Sequence, residues 1–167
     1  GFMNGQGRKV SLLIGHSLGG AAALAAAPGE DSLAALVTIG APFRPSHVAH
    51  LFEDELETIA ARGEADVELG GRTLTIRHNL VEDLHSHDLR GCIESLDLPL
   101  LVMHSPTDET VGIENASEIF NAARHPRSFV SLEGAGHLMP DREQTSRAAE
   151  IIAAWAGLYL RQARESG

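Results

Sequence analysis

Three residue types that can act together as a charge relay occur in this chain in a fixed order. Ser17 lies in Gly15-His16-Ser17-Leu18-Gly19-Gly20, Asp108 in Ser105-Pro106-Thr107-Asp108-Glu109, and His137 in Gly134-Ala135-Gly136-His137. A serine hydroxyl is a weak nucleophile until a neighbouring base takes its proton. Histidine supplies such a base near neutral pH, and a carboxylate behind it holds the working tautomer and stabilises the imidazolium. The chemistry these residues could do is acyl transfer from an ester carbonyl. Ser17 would attack, His137 would take and return the proton, and Asp108 would orient His137. The Leu18 amide, at a helix N-terminus, would donate to the developing oxyanion.

The elements around these residues are those the chemistry requires. The apolar run 9–14 predicts a short buried strand, and 17–27 an alanine-rich helix stopped by Pro28-Gly29. Gly-x-Ser-x-Gly between a strand and a helix is a sharp turn that lifts the serine out of the sheet. Further strands are expected at 33–39, 98–104 and 128–132, with helices at 113–124 and 142–164. Ile113, Ala116, Ile119, Phe120 and Ala123 share one face of the first of these helices. Ala148, Ile151, Ile152, Trp155, Leu158 and Tyr159 form an apolar stripe on the second, which gives Trp155 and Tyr159 a packing role and no chemistry. Asp108 and His137 each follow a strand, at the end where open parallel sheets place their sites. Glu109 is the nearest competitor to Asp108. The competing reading of Asp108 is a turn former, of His137 a solvated loop histidine, and of Ser17 a helix N-cap.

Strands alternating with helices predict a parallel α/β sheet covered on both faces. The stretch 43–95 breaks that rhythm. It is acidic, helical in its first part (HVAHLFEDELETIAARG), and then reads as a hairpin, 66–69 and 73–76, joined by Gly70-Gly71. It is expected to be an insertion above the sheet, leaving 1–42 and 96–167 as the core.

Composition narrows the function classes. The chain has 167 residues, a net charge of −10, and no basic cluster interleaved with aromatics, which argues against nucleic acid as a partner. A single cysteine, Cys92, excludes an intramolecular disulfide, offers no Cys-based metal site, and fits a cytoplasmic setting. It reads as a small buried hydrophobe. No stretch is long and apolar enough to predict a membrane span. Among nine histidines, the group Asp83, His85, His87 and Asp88 and the pair His47 and His50 have ligand-like density. Both sit in the polar insertion and are read as solvated side chains. No metal and no cofactor is expected, and His104 is read as structural.

The motifs GHSLGG, HSPTDETVG and GAGHLM resemble the triad motifs of α/β-hydrolases. The longer stretches TIGAPFRPSHVAHLF and LLVMHSPTDETVGIENASEIFNAARHPRSFVSLEGAGHLM resemble the hydrolase portion of bacterial α/β-hydrolase/OsmC-type fusion proteins. The resemblance implies a cofactor-free serine hydrolase of esterase type, working on a small-molecule ester through an acyl-enzyme. It also implies that 43–95 is a helical cap. The peroxide-reducing chemistry of the fused domain needs paired cysteines and is not expected here. In such hydrolases several strands, and the loop giving the second oxyanion amide, precede the nucleophile. Only sixteen residues precede Ser17. A partial hydrolase fold, from the nucleophile strand onward, is therefore expected, with an open sheet edge that a second copy could cover. Acyl transfer to a nucleophile other than water, or perhydrolysis, would use the same triad. The reading from another class is a non-catalytic, hydrolase-derived binding or oligomerising module.

Overall fold

The computed structural model describes residues 10–46, 53–69, 72–79, 81–82 and 89–165. Two compact units divide the chain, Gly1–Phe43 with Leu89–Gly167, and Arg44–Asp88.

The first unit is a four-stranded parallel sheet with helices on both faces. In chain order its elements are β1 (Leu12–His16), α1 (Leu18–Ala26), β2 (Ala35–Ile39), and then, after the second unit, the remainder. The second unit contributes α2 (Leu56–Arg62), β3 (Glu64–Leu69) and β4 (Arg72–Arg77). The first resumes with α3 (Leu89–Ser95), β5 (Leu100–His104), α4 (Glu114–Ala122), β6 (Arg127–Ser131) and α5 (Arg142–Glu165). The strand order is β1-β2-β5-β6. Its register aligns Gly15 with Thr38, Thr38 with Val102, and Val102 with Phe129.

The central strands explain the continuous apolar runs. Every residue of β2 and β5 is buried, because each strand has a neighbour on both sides and helices on both faces. Alternate residues then serve different cores. Leu36, Leu100 and Val102 pack with Leu24 of α1, Ile93 of α3 and Ile119 of α4. Val37, Ile39, Leu101 and Met103 pack on the other face with Ala148 and Ile152 of α5. Small residues in α1, with Gly20, Ala21 and Ala23 buried, let that helix lie close on the sheet.

Two expectations change. The strand before Ser17 is only partly buried, and Ile14 is 48% exposed. Among the described residues β1 pairs on one side only, with β2, so it has the exposure of an edge strand. On α5 the stripe runs through Ala148, Ile152 and Ala156, and Trp155 Nε1–H donates to Ser128 Oγ at 3.1 Å. Leu158, placed in that stripe by its spacing, is exposed, because the stripe in contact is narrower than the apolar face of the sequence.

Arg127, at the start of β6, closes α4. Its Nη1 donates to the carbonyls of Phe120 (2.6 Å), Asn121 (3.1 Å) and Ala123 (2.7 Å), and its guanidinium lies 4.6 Å from the Phe120 ring centroid. The last carbonyls of a helix have no partner within it and carry its partial negative charge. Arg127→Ala is expected to lower unfolding stability by about 2–3 kcal/mol, the loss for charged hydrogen bonds. A urea midpoint unchanged by the substitution would contradict this assignment.

In the second unit, β3 and β4 pair antiparallel with Glu64 opposite Arg77, Asp66 opposite Thr75, and Glu68 opposite Thr73. All three pairs are bonded side chain to side chain: Arg77 Nε–H to Glu64 at 3.2 Å, Thr75 Oγ1–H to Asp66 at 2.7 Å, and Thr73 to Glu68. Period-two alternation therefore gives this hairpin a polar face, with Val67 and Ile76 buried on the other. The Gly70-Gly71 turn lies outside the described residues.

Candidate active site

The turn between β1 and α1 is built by its glycines. A Cβ on Gly15 would overlap the backbone of Gly19 and the Cα of Gly20, so only glycine lets α1 fold back this tightly over β1. Ser17 occupies the apex with φ 53 and ψ −128, a conformation that costs a non-glycine residue about 1–3 kcal/mol. The turn is pinned from two directions. Ser17 N–H donates to Ile39 O at 2.8 Å, and Ser17 O accepts from Gly20 N–H at 2.8 Å. The Leu18 amide opens α1, where N–H groups have no acceptor within the helix and point out beyond it.

Gly15→Ala is expected to push α1 away from β1 and shift the Leu18 amide relative to Ser17. Misplacement on the order of 1 Å costs about 10²-fold in rate. Ester turnover by the folded variant is the check, and wild-type kcat there would show that the close approach is dispensable.

The structure brings the three sequence-predicted side chains into one chain of hydrogen bonds. Ser17 Oγ–H donates to His137 Nε2 at 2.9 Å, and His137 Nδ1–H donates to Asp108 Oδ2 at 2.7 Å. The side chains of Asp108 and His137 are 2% and 9% exposed, so their bond is shielded from water. The other oxygen, Asp108 Oδ1, accepts from Thr110 N–H and Val111 N–H, each at 2.9 Å. Those two bonds leave Oδ2 free to face the imidazole. Glu109, the competitor, is exposed on the same turn.

Four groups that the sequence did not single out hold this arrangement. Gly40, after β2, has φ 55 and faces the couple: a Cβ there would lie 3.4 Å from Asp108 Oδ2 and 3.5 Å from His137 Nδ1. Ser105 Oγ–H donates to Ala135 O at 2.5 Å and Oγ accepts from Thr107 N–H at 3.2 Å, tying the acid-bearing turn to the loop of His137. Phe43 N–H donates to Asn115 Oδ1 at 3.0 Å, fastening the segment after β2 to α4. His16 Nε2–H donates to His137 O at 2.8 Å. His16 stood in plain view inside GHSLGG, and its position beside the serine was the available signal.

His104, expected to be structural, is 1% exposed and donates from Nε2–H to Val111 O at 2.7 Å. The same nitrogen lies 3.7 Å from Asp108 Oδ2. Cys92 is half-buried rather than fully buried. Asp83, His85, His87, Asp88, His47 and His50 lie outside the described residues. Among the described residues no three His, Cys, Asp or Glu side chains converge as a metal site would require, and no helix is long and apolar enough to cross a membrane.

The parallel-sheet α/β architecture matches the α/β-hydrolase fold of the neighbouring structures, in which a serine likewise sits on a sharp strand-to-helix turn. The chain is similar over 93% of its length to the esterase domain of a Rhodothermus marinus protein, with 45% identity and a TM-score of 0.80, and it spans 64% of that domain. It is also similar to Est1E from Butyrivibrio proteoclasticus (19% identity, TM-score 0.68, covering 89% of this chain and 60% of Est1E). A third likeness is to the monoacylglycerol lipase of Paleococcus ferrophilus (18% identity, TM-score 0.70, covering 95% of this chain and 72% of the lipase). The last two speak to the fold alone. No protein-family model matches the chain.

Proposed function

We propose that this chain is a serine hydrolase of esterase type acting on a small-molecule carboxylic ester. The observation that carries the reading is the unbroken hydrogen-bond chain from Ser17 Oγ through His137 to Asp108, at 2.9 and 2.7 Å. The 45% identity to an esterase domain supports it independently.

In this reading Ser17 Oγ forms a bond to the ester carbonyl carbon as its proton passes to His137 Nε2. The carbonyl π electrons move onto oxygen, and the Leu18 amide donates to that oxyanion. Collapse of the tetrahedral intermediate breaks the bond to the alcohol oxygen, which takes the proton from His137. Water then attacks the acyl-enzyme by the same steps, and Ser17 is restored. Asp108 keeps Nε2 the accepting nitrogen by accepting from Nδ1–H, and it offsets the positive charge while His137 holds the proton.

Arg44–Asp88 forms its own compact unit, inserted in the chain between β2 and α3. We read it as the cap, narrower than the 43–95 expected from the sequence because Phe43 and Leu89–Ser95 fall in the other unit; in such enzymes a cap contributes to substrate choice.

Labelling with a fluorophosphonate, which modifies activated serine hydroxyls, tests the reading. Stoichiometric labelling of the folded protein is expected, and none in Ser17→Ala. A folded wild type that takes up no label would sink the enzymatic reading and leave the non-catalytic binding module.

A further inference from the structure

We propose that His16 is a positioning residue that locks the general base to the strand carrying the nucleophile; this rests on the reading of Ser17 and His137 as nucleophile and base. A backbone carbonyl can only accept, so the 2.8 Å contact between His16 Nε2 and His137 O requires the proton on Nε2 of His16. The two rings lie 5.2 Å apart between centroids, tilted by 38°. His16 thus grips the backbone of His137 and leaves both ring nitrogens of His137 to Ser17 and Asp108.

The loop of His137 needs such a grip. Gly134 and Gly136 precede it, Gly134 has φ 73, and residues 136–139 form a turn closed by Met139 N–H donating to Gly136 O at 3.1 Å. Glycines lower the barrier to backbone reorientation, so without a tether the imidazole would wander from the 2.9 Å contact with Ser17. Ser105 fixes this loop at Ala135, two residues before the histidine. His16 fixes it at the histidine itself. Because His16 and Ser17 are consecutive and His16 lies in register with Ile39, any shift of β1 carries nucleophile and base together.

The effect on chemistry is on orientation rather than on binding. Loss of the tether spreads His137 over poses from which it cannot take the Ser17 proton, which lowers the fraction of productive encounters. It removes no contact to substrate, so KM has no reason to rise. Glutamine can replace the tether, since its Nε2–H₂ reaches about as far as the imidazole Nε2–H. Asparagine is one bond shorter and cannot.

The test compares wild type with His16→Ala, His16→Gln and His16→Asn in p-nitrophenyl acetate turnover, fluorophosphonate labelling rate and the low-field proton resonance of the His137–Asp108 bond. His16→Ala is expected to lose about 10²-fold in kcat and in labelling rate, with KM changed by less than about twofold. His16→Gln is expected to recover to within about fivefold of wild type, one ordinary hydrogen bond's worth, and to keep the low-field proton. His16→Asn is expected to follow His16→Ala. Wild-type kcat in His16→Ala, equal losses in the glutamine and alanine variants, or a loss carried by KM would each overturn the proposal. If His16→Ala does not fold, the contrast between glutamine and asparagine decides. If wild type is neither labelled nor active, the reading of Ser17 fails by itself. The low-field proton then still decides His16, because its survival in the alanine or asparagine variant overturns the tether.

Discussion

Ser17→Ala is expected to lower kcat for ester hydrolysis by about 10⁶-fold, His137→Ala to lower it by about the same factor, and the double variant to lose no more than either alone. The expectation follows from the geometry of one hydrogen bond. Ser17 Oγ and His137 Nε2 stand 2.9 Å apart, the distance at which one proton passes between them. In the proposed mechanism neither group acts without the other: the hydroxyl is inert with no acceptor, and the base has nothing to activate. Losses that act through a shared step do not add. Steady-state turnover of p-nitrophenyl acetate by the three variants, each purified free of host esterases, checks it. If the two single losses multiplied in the double variant, the residues would be acting in separate steps and the charge-relay reading would fall.

Asp108→Asn is expected to lower kcat by about 10⁴-fold while leaving the fold in place. An asparagine is nearly isosteric, so the turn after β5 can keep its shape: the Asn side-chain oxygen can still accept from Thr110 N–H and Val111 N–H, as Asp108 Oδ1 does at 2.9 Å. That choice points the amide NH₂ at His137 Nδ1, where Oδ2 now stands at 2.7 Å. Nδ1 must then accept, the ring proton moves to Nε2, and Nε2 can no longer take the proton of Ser17. The variant carries the wrong tautomer as well as the wrong charge. A stable, folded Asp108→Asn with more than about a tenth of wild-type kcat would mean that His137 is oriented by something other than this carboxylate.

The three side chains joined by hydrogen bonds were legible in the sequence because each sits in a local context that the chain itself advertises. Ser17 follows an apolar run and opens an alanine-rich one. Asp108 and His137 follow two further apolar runs, and the order in which they occur fits strands laid side by side. The core was legible for the same reason, since Ala35–Ile39 and Leu100–His104 are buried along their whole length and read as continuous hydrophobic segments. What the sequence could not display are contacts between segments far apart in the chain that leave no pattern in either. The bond from His16 to the His137 carbonyl spans 121 positions and ends on backbone, which has no letter. Gly40 is one glycine among seventeen until the fold sets it against Asp108 and His137. The partial exposure of β1 was hidden too, because an apolar run says which residues prefer burial and not whether a neighbour exists to bury them. α3 had no individual signature, since seven residues hold less than two full helical periods of contrast.

The division of the chain into two units has an engineering consequence. Every described group in the relay and its supports, from His16 and Ser17 through Gly40, Phe43, Ser105, Asp108 and Asn115 to His137, belongs to the unit formed by Gly1–Phe43 and Leu89–Gly167. The side-chain bonds between β3 and β4, Arg77 to Glu64, Thr75 to Asp66 and Thr73 to Glu68, lie within Arg44–Asp88. Substitutions at the described exposed side chains of β3 and β4 therefore remove none of the hydrogen bonds that join Ser17, His137 and Asp108.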